Sequence, residues 1–169
     1  MIILGIDPGS AILGYGLIEA DDEPRLIAYG AVTTQADCPM PQRLADLFDQ
    51  VSTIIERHRP DVLAIEQLFF ARNVTTAIAV GQARGVVLLA AARAGVTVVD
   101  YSPSEVKHAV VGYGKADKAQ MQEMVRLALG LDHTPQPDDA ADALAVAVCH
   151  AQRFAFETRV GRSRDATGW

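Results

Sequence analysis

Met1-Ile2-Ile3-Leu4-Gly5-Ile6-Asp7-Pro8-Gly9-Ser10 opens the chain and decides how the rest is read. Residues 2–7 are an apolar run too short for a helix, and a Pro-Gly-Ser breaker follows it. That pattern predicts a buried strand ending in a carboxylate. A charge at the tip of a buried strand belongs at the sheet rim, where open α/β sheets place their ligands. Outward from it, 14–18 and 26–33 are two further strands. The polar stretch Asp21-Asp22-Glu23-Pro24 turns them into a hairpin. Residues 41–59 carry Leu44, Leu47, Phe48, Val51, Ile54 and Ile55 at i, i+3, i+4, i+7 spacing, one helical face stopped by Pro60.

Residues 61–66 repeat the opening pattern, Val62-Leu63-Ala64-Ile65 closed by Glu66. A long Ala-rich helix is expected over 74–94, with Gly81 and Gly85 one turn apart, placed to let it lie close on a sheet. A strand at 96–100, helices at about 103–110 and 116–129, and a last helix from 138 to about 154 complete the chain. Asp138, directly after Pro137, is the expected N-cap of that helix. A hairpin-bearing meander followed by αβαβ predicts an α/β fold, a mixed five-stranded sheet with helices on both faces. One domain is expected over residues 1–157, with 158–169 as a flexible C-terminal tail.

The 169 residues suit a single hydrophobic core, and 50% hydrophobic with 21% charged residues excludes global disorder. Two cysteines, Cys38 and Cys149, are too few for a disulfide scaffold or a cysteine zinc site. No apolar run is expected to reach the roughly 20 residues that span a bilayer. The first residues lack the features of a signal peptide. A soluble cytoplasmic protein with no membrane partner is the expectation. The net charge of −6 argues against non-specific phosphate attraction, but residues 66–126 carry 7 basic and 5 acidic side chains, a local excess of positive charge.

Four carboxylates share one kind of place. Asp7 and Glu66 end apolar strands. Asp139 and Asp142 sit i, i+3 in the first turns of the last helix, so they face the same way, near a helix N-terminus that tolerates negative charge. Each pair alone has an ordinary structural reading, as a turn former or a dipole partner. Together, four such charges converging on one spot would repel unless a hard divalent cation joined them. Two such cations about 4 Å apart suit in-line attack of water on a phosphodiester.

The ordered set Gly5-Ile6-Asp7-Pro8-Gly9-Ser10, Ala64-Ile65-Glu66-Gln67 with Phe69 after it, Gly81-Gln82-Ala83-Arg84-Gly85, Lys107 followed by Val110-Val111-Gly112-Tyr113-Gly114, and Asp139-Ala140-Ala141-Asp142-Ala143-Leu144-Ala145 resembles the RuvC-type Holliday junction resolvases. The match runs from residue 2 to about 150 without large insertions. The resemblance implies a ribonuclease H-like fold, a homodimer, and paired metal-dependent nicks in opposing strands of a four-way DNA junction during recombination and repair, beside a branch-migration motor complex. It implies Mg²⁺, two per site, with Mn²⁺ able to take its place. It assigns catalysis and metal binding to Asp7, Glu66, Asp139 and Asp142. Contact with junction DNA falls on Phe69 with Phe70 beside it, and on Lys107 and Lys118 with Lys115 between them. Arg84 reads as a partner for an acid rather than a DNA contact.

Three other readings compete. Another ribonuclease H-like nuclease, acting on RNA–DNA hybrid or duplex DNA, would share the acids but not need Phe69 or two-strand symmetry. An actin-like ATPase or sugar kinase would need a second domain and a second copy of the Gly-Ile-Asp motif. A junction binder without catalysis would not need all four acids.

Overall fold

Alternation along β1 (Ile2–Asp7) sends successive side chains to opposite faces, and the whole architecture follows from filling both. The computed structural model describes residues 1–21, 23–67, 74–114 and 116–167. After β1 come β2 (Ile12–Ala20), β3 (Pro24–Thr33), α1 (Met40–His58), β4 (Val62–Glu66) and α2 (Val74–Arg93). Then follow β5 (Thr97–Tyr101), α3 (Pro103–Val111), α4 (Lys118–Ala128) and α5 (Asp138–Thr167).

The strands form one mixed sheet in the order β3-β2-β1-β4-β5. β1 pairs antiparallel with β2 and parallel with β4, and β4 pairs parallel with β5. One core lies on each face. Leu4, Ile6, Leu13, Leu17, Leu63 and Ile65 meet α1 and α2. Ile3, Ile18, Val62, Ala64 and Tyr101 meet α3, α4 and α5.

α5 departs from the sequence expectation at both ends. It runs on to Thr167 rather than stopping near 154, so the segment expected as a flexible tail is helical that far. No proline interrupts it, and an Arg153–Glu157 pair one turn apart supports its continuation. At the other end Asp138 is not the N-cap but the first helical residue. The carbonyl of Pro137 accepts the first bonds, from the N–H groups of Ala140 and Ala141.

Glycines of the strands seat α5 on the sheet. A Cβ on Gly5 would lie 2.1 Å from the carbonyl oxygen of Ala143, and one on Gly14 would lie 1.9 Å from that of Asp139. The helix is pressed against bare backbone of β1 and β2, and residues 143–149 are buried all round. On α2, by contrast, a Cβ on Gly85 would meet nothing within 4 Å, because Gly85 points away from the sheet.

By length and composition α2 is apolar enough to cross a membrane, contrary to the expectation of no such run. Its alanines and valines serve sheet packing here. Ala83, Val87, Ala90 and Ala91 are buried, and Arg84 is ion-paired with Asp100 of β5.

Candidate active site

Strand parity brings Asp7 and Glu66 together. The register pairs Ile6 with Ile65, so the two acids follow side by side at the ends of adjacent parallel strands. Asp7 continues the parity of Ile3 and Gly5, and Glu66 that of Val62 and Ala64. Both therefore point to the α5 face. Asp100, one strand further, has the opposite parity and goes to the other face, where Arg84 takes it.

The glycine seat brings the helical pair to the same place. Gly14 lies opposite Asp7 in the β1–β2 ladder, and the backbone of Asp139 rests on Gly14. Asp139 is thus fixed beside Asp7, and Asp142 follows one turn along. A cleft of ≈ 320 Å³ opens next to them, lined by Glu66, Lys107, Lys118 and Asp142 over an apolar floor that includes Val106 and Val146. Two capping boxes set its far wall: Ser102 with Glu105 starts α3, which carries Lys107, and Asp117 with Gln120 starts α4, which carries Lys118.

The charges are far from balanced. Burial, followed by the charges of Glu66, Asp142 and Asp139, pushes the Asp7 carboxyl up to about 7, with Lys118 opposing. Burial and Asp142 raise Glu66 against the pull of Lys107. Burial also raises Asp142, although Lys118 works the other way. Desolvation plus crowded like charge favours the approach of a cation.

The family read from the sequence implies a divalent metal, and the donors fit one. They are hard carboxylate oxygens in a partly buried cluster short of positive charge. Among the described residues, however, no three His, Cys, Asp or Glu side chains are drawn close enough to hold an ion as they stand. Lys118 supplies a local cation instead, its Nζ 3.1 Å from Asp138 and 3.2 Å from Asp142. This bridge was not legible from sequence, which assigned Lys118 to phosphate and Asp138 to a cap. Lys107 faces the cleft beside Glu66. Phe69, Phe70 and Lys115 lie outside the described residues.

The family model described as crossover junction endodeoxyribonuclease RuvC matches residues 3–150. The chain belongs to the RuvC family. It is 59% identical over 164 residues to the crossover junction endodeoxyribonuclease RuvC of Chloroflexus aggregans, covering 96% of this chain and 100% of that one. To the RuvC of Heliobacterium modesticaldum it is 59% identical over 157 residues, covering 92% and 97%. The Thermus thermophilus RuvC structure superposes with a TM-score of 0.87 at 39% identity, over 94% of this chain and 98% of that one. The same protein in complex with Holliday junction substrate gives 0.85 at 37%, over 92% and 96%. The yeast mitochondrial Holliday junction resolvase Ydc2, with a TM-score of 0.67 at 16% identity over 89% of this chain and 77% of that one, shares the fold. The ribonuclease H-like sheet expected from sequence is therefore the RuvC fold.

Proposed function

We propose that this chain is a structure-selective endonuclease that resolves four-way DNA junctions. It hydrolyses paired phosphodiesters in opposing strands during recombination and repair. The observation that carries the reading is the placement of Asp7 and Glu66 at adjacent strand ends, with the helix bearing Asp139 and Asp142 seated across them on Gly14. The relatives support it: they are named crossover junction endodeoxyribonucleases, and one has been solved with Holliday junction substrate.

In this reading Asp7, Glu66, Asp139 and Asp142 hold two Mg²⁺, with Mn²⁺ as a substitute. Bound there, the metal supplies Lewis-acid stabilisation of the phosphate and a more acidic water. The chain's own contributions are positional. β1 and β4 hold their two acids at a fixed strand spacing, and the buried stretch of α5 keeps the other two from swinging away. Lys107 and Lys118 offer ammonium groups to the phosphate where negative charge develops. Lys115 extends the basic patch. Phe69, with Phe70 beside it, stacks on bases unpaired at the crossover, a part that rests on sequence alone.

Two coordinated nicks call for two sites, and a twofold dimer supplies them. The face of α2 that turns away from the sheet supports this assembly. Ile78 and Leu89 are 59% and 53% exposed there, with Gly85 between them. Residues 1–157 act as the nuclease unit, and the protein works in the cytoplasm beside a branch-migration motor, as the resemblance implies.

The test is incubation with a synthetic immobile four-way junction and Mg²⁺, reading nick positions on each strand, with RNA–DNA hybrid and linear duplex in parallel. Symmetric nicks confined to the junction are expected. Preferential cleavage of hybrid would replace this reading with that of another ribonuclease H-like nuclease.

A further inference from the structure

Three side chains outside the acid quartet form a chain of contacts at the mouth of the cleft. Lys118, the first residue of α4, divides its Nζ between the Oδ2 atoms of Asp138 at 3.1 Å and Asp142 at 3.2 Å. Those two carboxylates stand one turn apart on α5. Asp138 is held from the other side, where Gln122 Nε2 donates to its Oδ1 at 3.0 Å. Gln122 and Lys118 are themselves one turn apart on α4, so one face of α4 supplies the donors and one edge of α5 the acceptors. An ammonium at the N-terminal end of a helix is unfavourably placed with respect to the helix dipole. The two carboxylates are what keep Lys118 there.

We propose that Asp138 is a positioning residue for Lys118, a second seat that retains the ammonium beside the cleft when a divalent cation claims Asp142. The inference rests on Asp142 being a cation ligand. An incoming cation competes with Lys118 for the same carboxylate. A lysine tied to Asp142 alone would have to be expelled into solvent for the cation to enter. With Asp138 present, Lys118 gives up one contact of two and stays near the reacting phosphate. Gln122 occupies Oδ1 of Asp138 and leaves Oδ2 for the lysine, so the seat stays oriented while Asp142 is engaged. Asp138 thereby does two things at once: it eases cation entry and keeps the lysine in reach.

The experiment is a calorimetric titration of the full-length protein, free of DNA, with Mn²⁺. Asp142→Asn, Asp138→Asn, Lys118→Met and the Asp138→Asn/Lys118→Met double variant are compared. Asp142→Asn should weaken Mn²⁺ binding by about tenfold or more. Asp138→Asn still accepts from Gln122 but loses the charge that seats Lys118. It should weaken Mn²⁺ binding by about two- to fivefold, the range of an exposed ion pair. Lys118→Met removes the competitor and should tighten it by a similar factor. In the Lys118→Met background the effect of Asp138→Asn should largely vanish, since the carboxylate acts through the lysine. On junction substrate Asp138→Asn should lower kcat with KM unchanged, and Asp138→Glu should restore most of it. An equal loss of Mn²⁺ affinity from Asp138→Asn with and without Lys118 would overturn the proposal, because Asp138 would then be only a negative charge near the site. Unchanged Mn²⁺ binding in Asp142→Asn would instead remove the site assignment beneath it.

Discussion

α2 and α5 lie on opposite faces of one sheet, and both are rich in alanine, yet they end with opposite surfaces. α5 rests on bare β1 and β2 backbone at Gly5 and Gly14, and its residues 143–149 are buried on every side, between the sheet and α3 and α4. α2 buries Ala83, Val87, Ala90 and Ala91 on one side and turns Ile78 and Leu89 outward on the other. The helix whose glycine contacts are in the sheet becomes one wall of the acidic cleft. The helix that carries an outward glycine leaves an apolar stripe exposed.

Asp142→Asn and Asp7→Asn should each cut junction nicking by about a hundredfold or more if, as proposed, both carboxylates hold the metal. Melting without metal should show equal or higher stability for the same variants, because crowded like charges are relieved. Near-normal nicking by either variant would move the active site elsewhere.

Next in size is a pair of matched glycine substitutions. Gly14→Ala drives a methyl into the backbone of Asp139. It should cost about 1–3 kcal/mol, as overpacking does, and depress nicking along with the melting temperature. Gly85→Ala meets open space and replaces a helical glycine. It should leave the isolated fold equal or up to about 1 kcal/mol more stable. Gly85→Ala as damaging as Gly14→Ala would erase the difference between the two helices.

Assembly comes third. Leu89→Glu puts a charge on the outward face of α2. Sedimentation at micromolar protein should shift from dimer toward monomer, while the circular dichroism spectrum stays that of the parent. A dimer that persists would place the contact on another surface.

The smallest effect concerns the far end of the α5 core. His150 shares a hydrogen bond of 2.7 Å between its Nδ1 and the Tyr101 hydroxyl. Burial, helped by the charge of Arg153 and opposed by Glu157, holds its imidazole below the ordinary histidine range. The unfolded chain takes up that proton near pH 6.5 and the folded chain only at lower pH, so this contribution is complete above 6.5 and lost as pH falls. Between pH 7.5 and 5, His150→Gln should melt with a shallower pH dependence than the parent, by about 1–2 °C. An identical pH profile would mean His150 titrates as it does in the unfolded chain.

Much of this was legible in residue order. Short apolar runs ending in Asp7 and Glu66, and the i, i+3 spacing of Asp139 and Asp142, encode strand ends and a helical face directly. What was not legible depends on distances across the fold. Gly85, expected to let α2 lie close on the sheet, meets open space, whereas the close approach of α5 is made from the strand side by Gly5 and Gly14, 125 or more positions away from the residues they meet. Arg84 as partner of an acid could be anticipated, but that the acid is Asp100 follows from its strand parity. Lys118 bridging two carboxylates of α5 needs the packing of α4 against α5, which no local pattern announces.

The register that sets Gly14 opposite Asp7 also makes the intervening loop a measured length. Thr34 Oγ1 and Arg43 both donate to the carbonyl of Ser10, at 2.8 and 2.6 Å, and Arg43 Nε donates to Thr34 Oγ1 at 3.0 Å, so the loop has little slack. A single residue inserted between Pro8 and Ile12 would slide β2 by one step and reverse its faces. Leu13 would then stand where α5 needs bare backbone, and the glycines would open a hole in the opposite core. Viable variants of this protein are therefore expected to keep Gly9, whose Cβ would lie 1.9 Å from the carbonyl oxygen of Ile12, and to differ hardly at all in how many residues that loop contains.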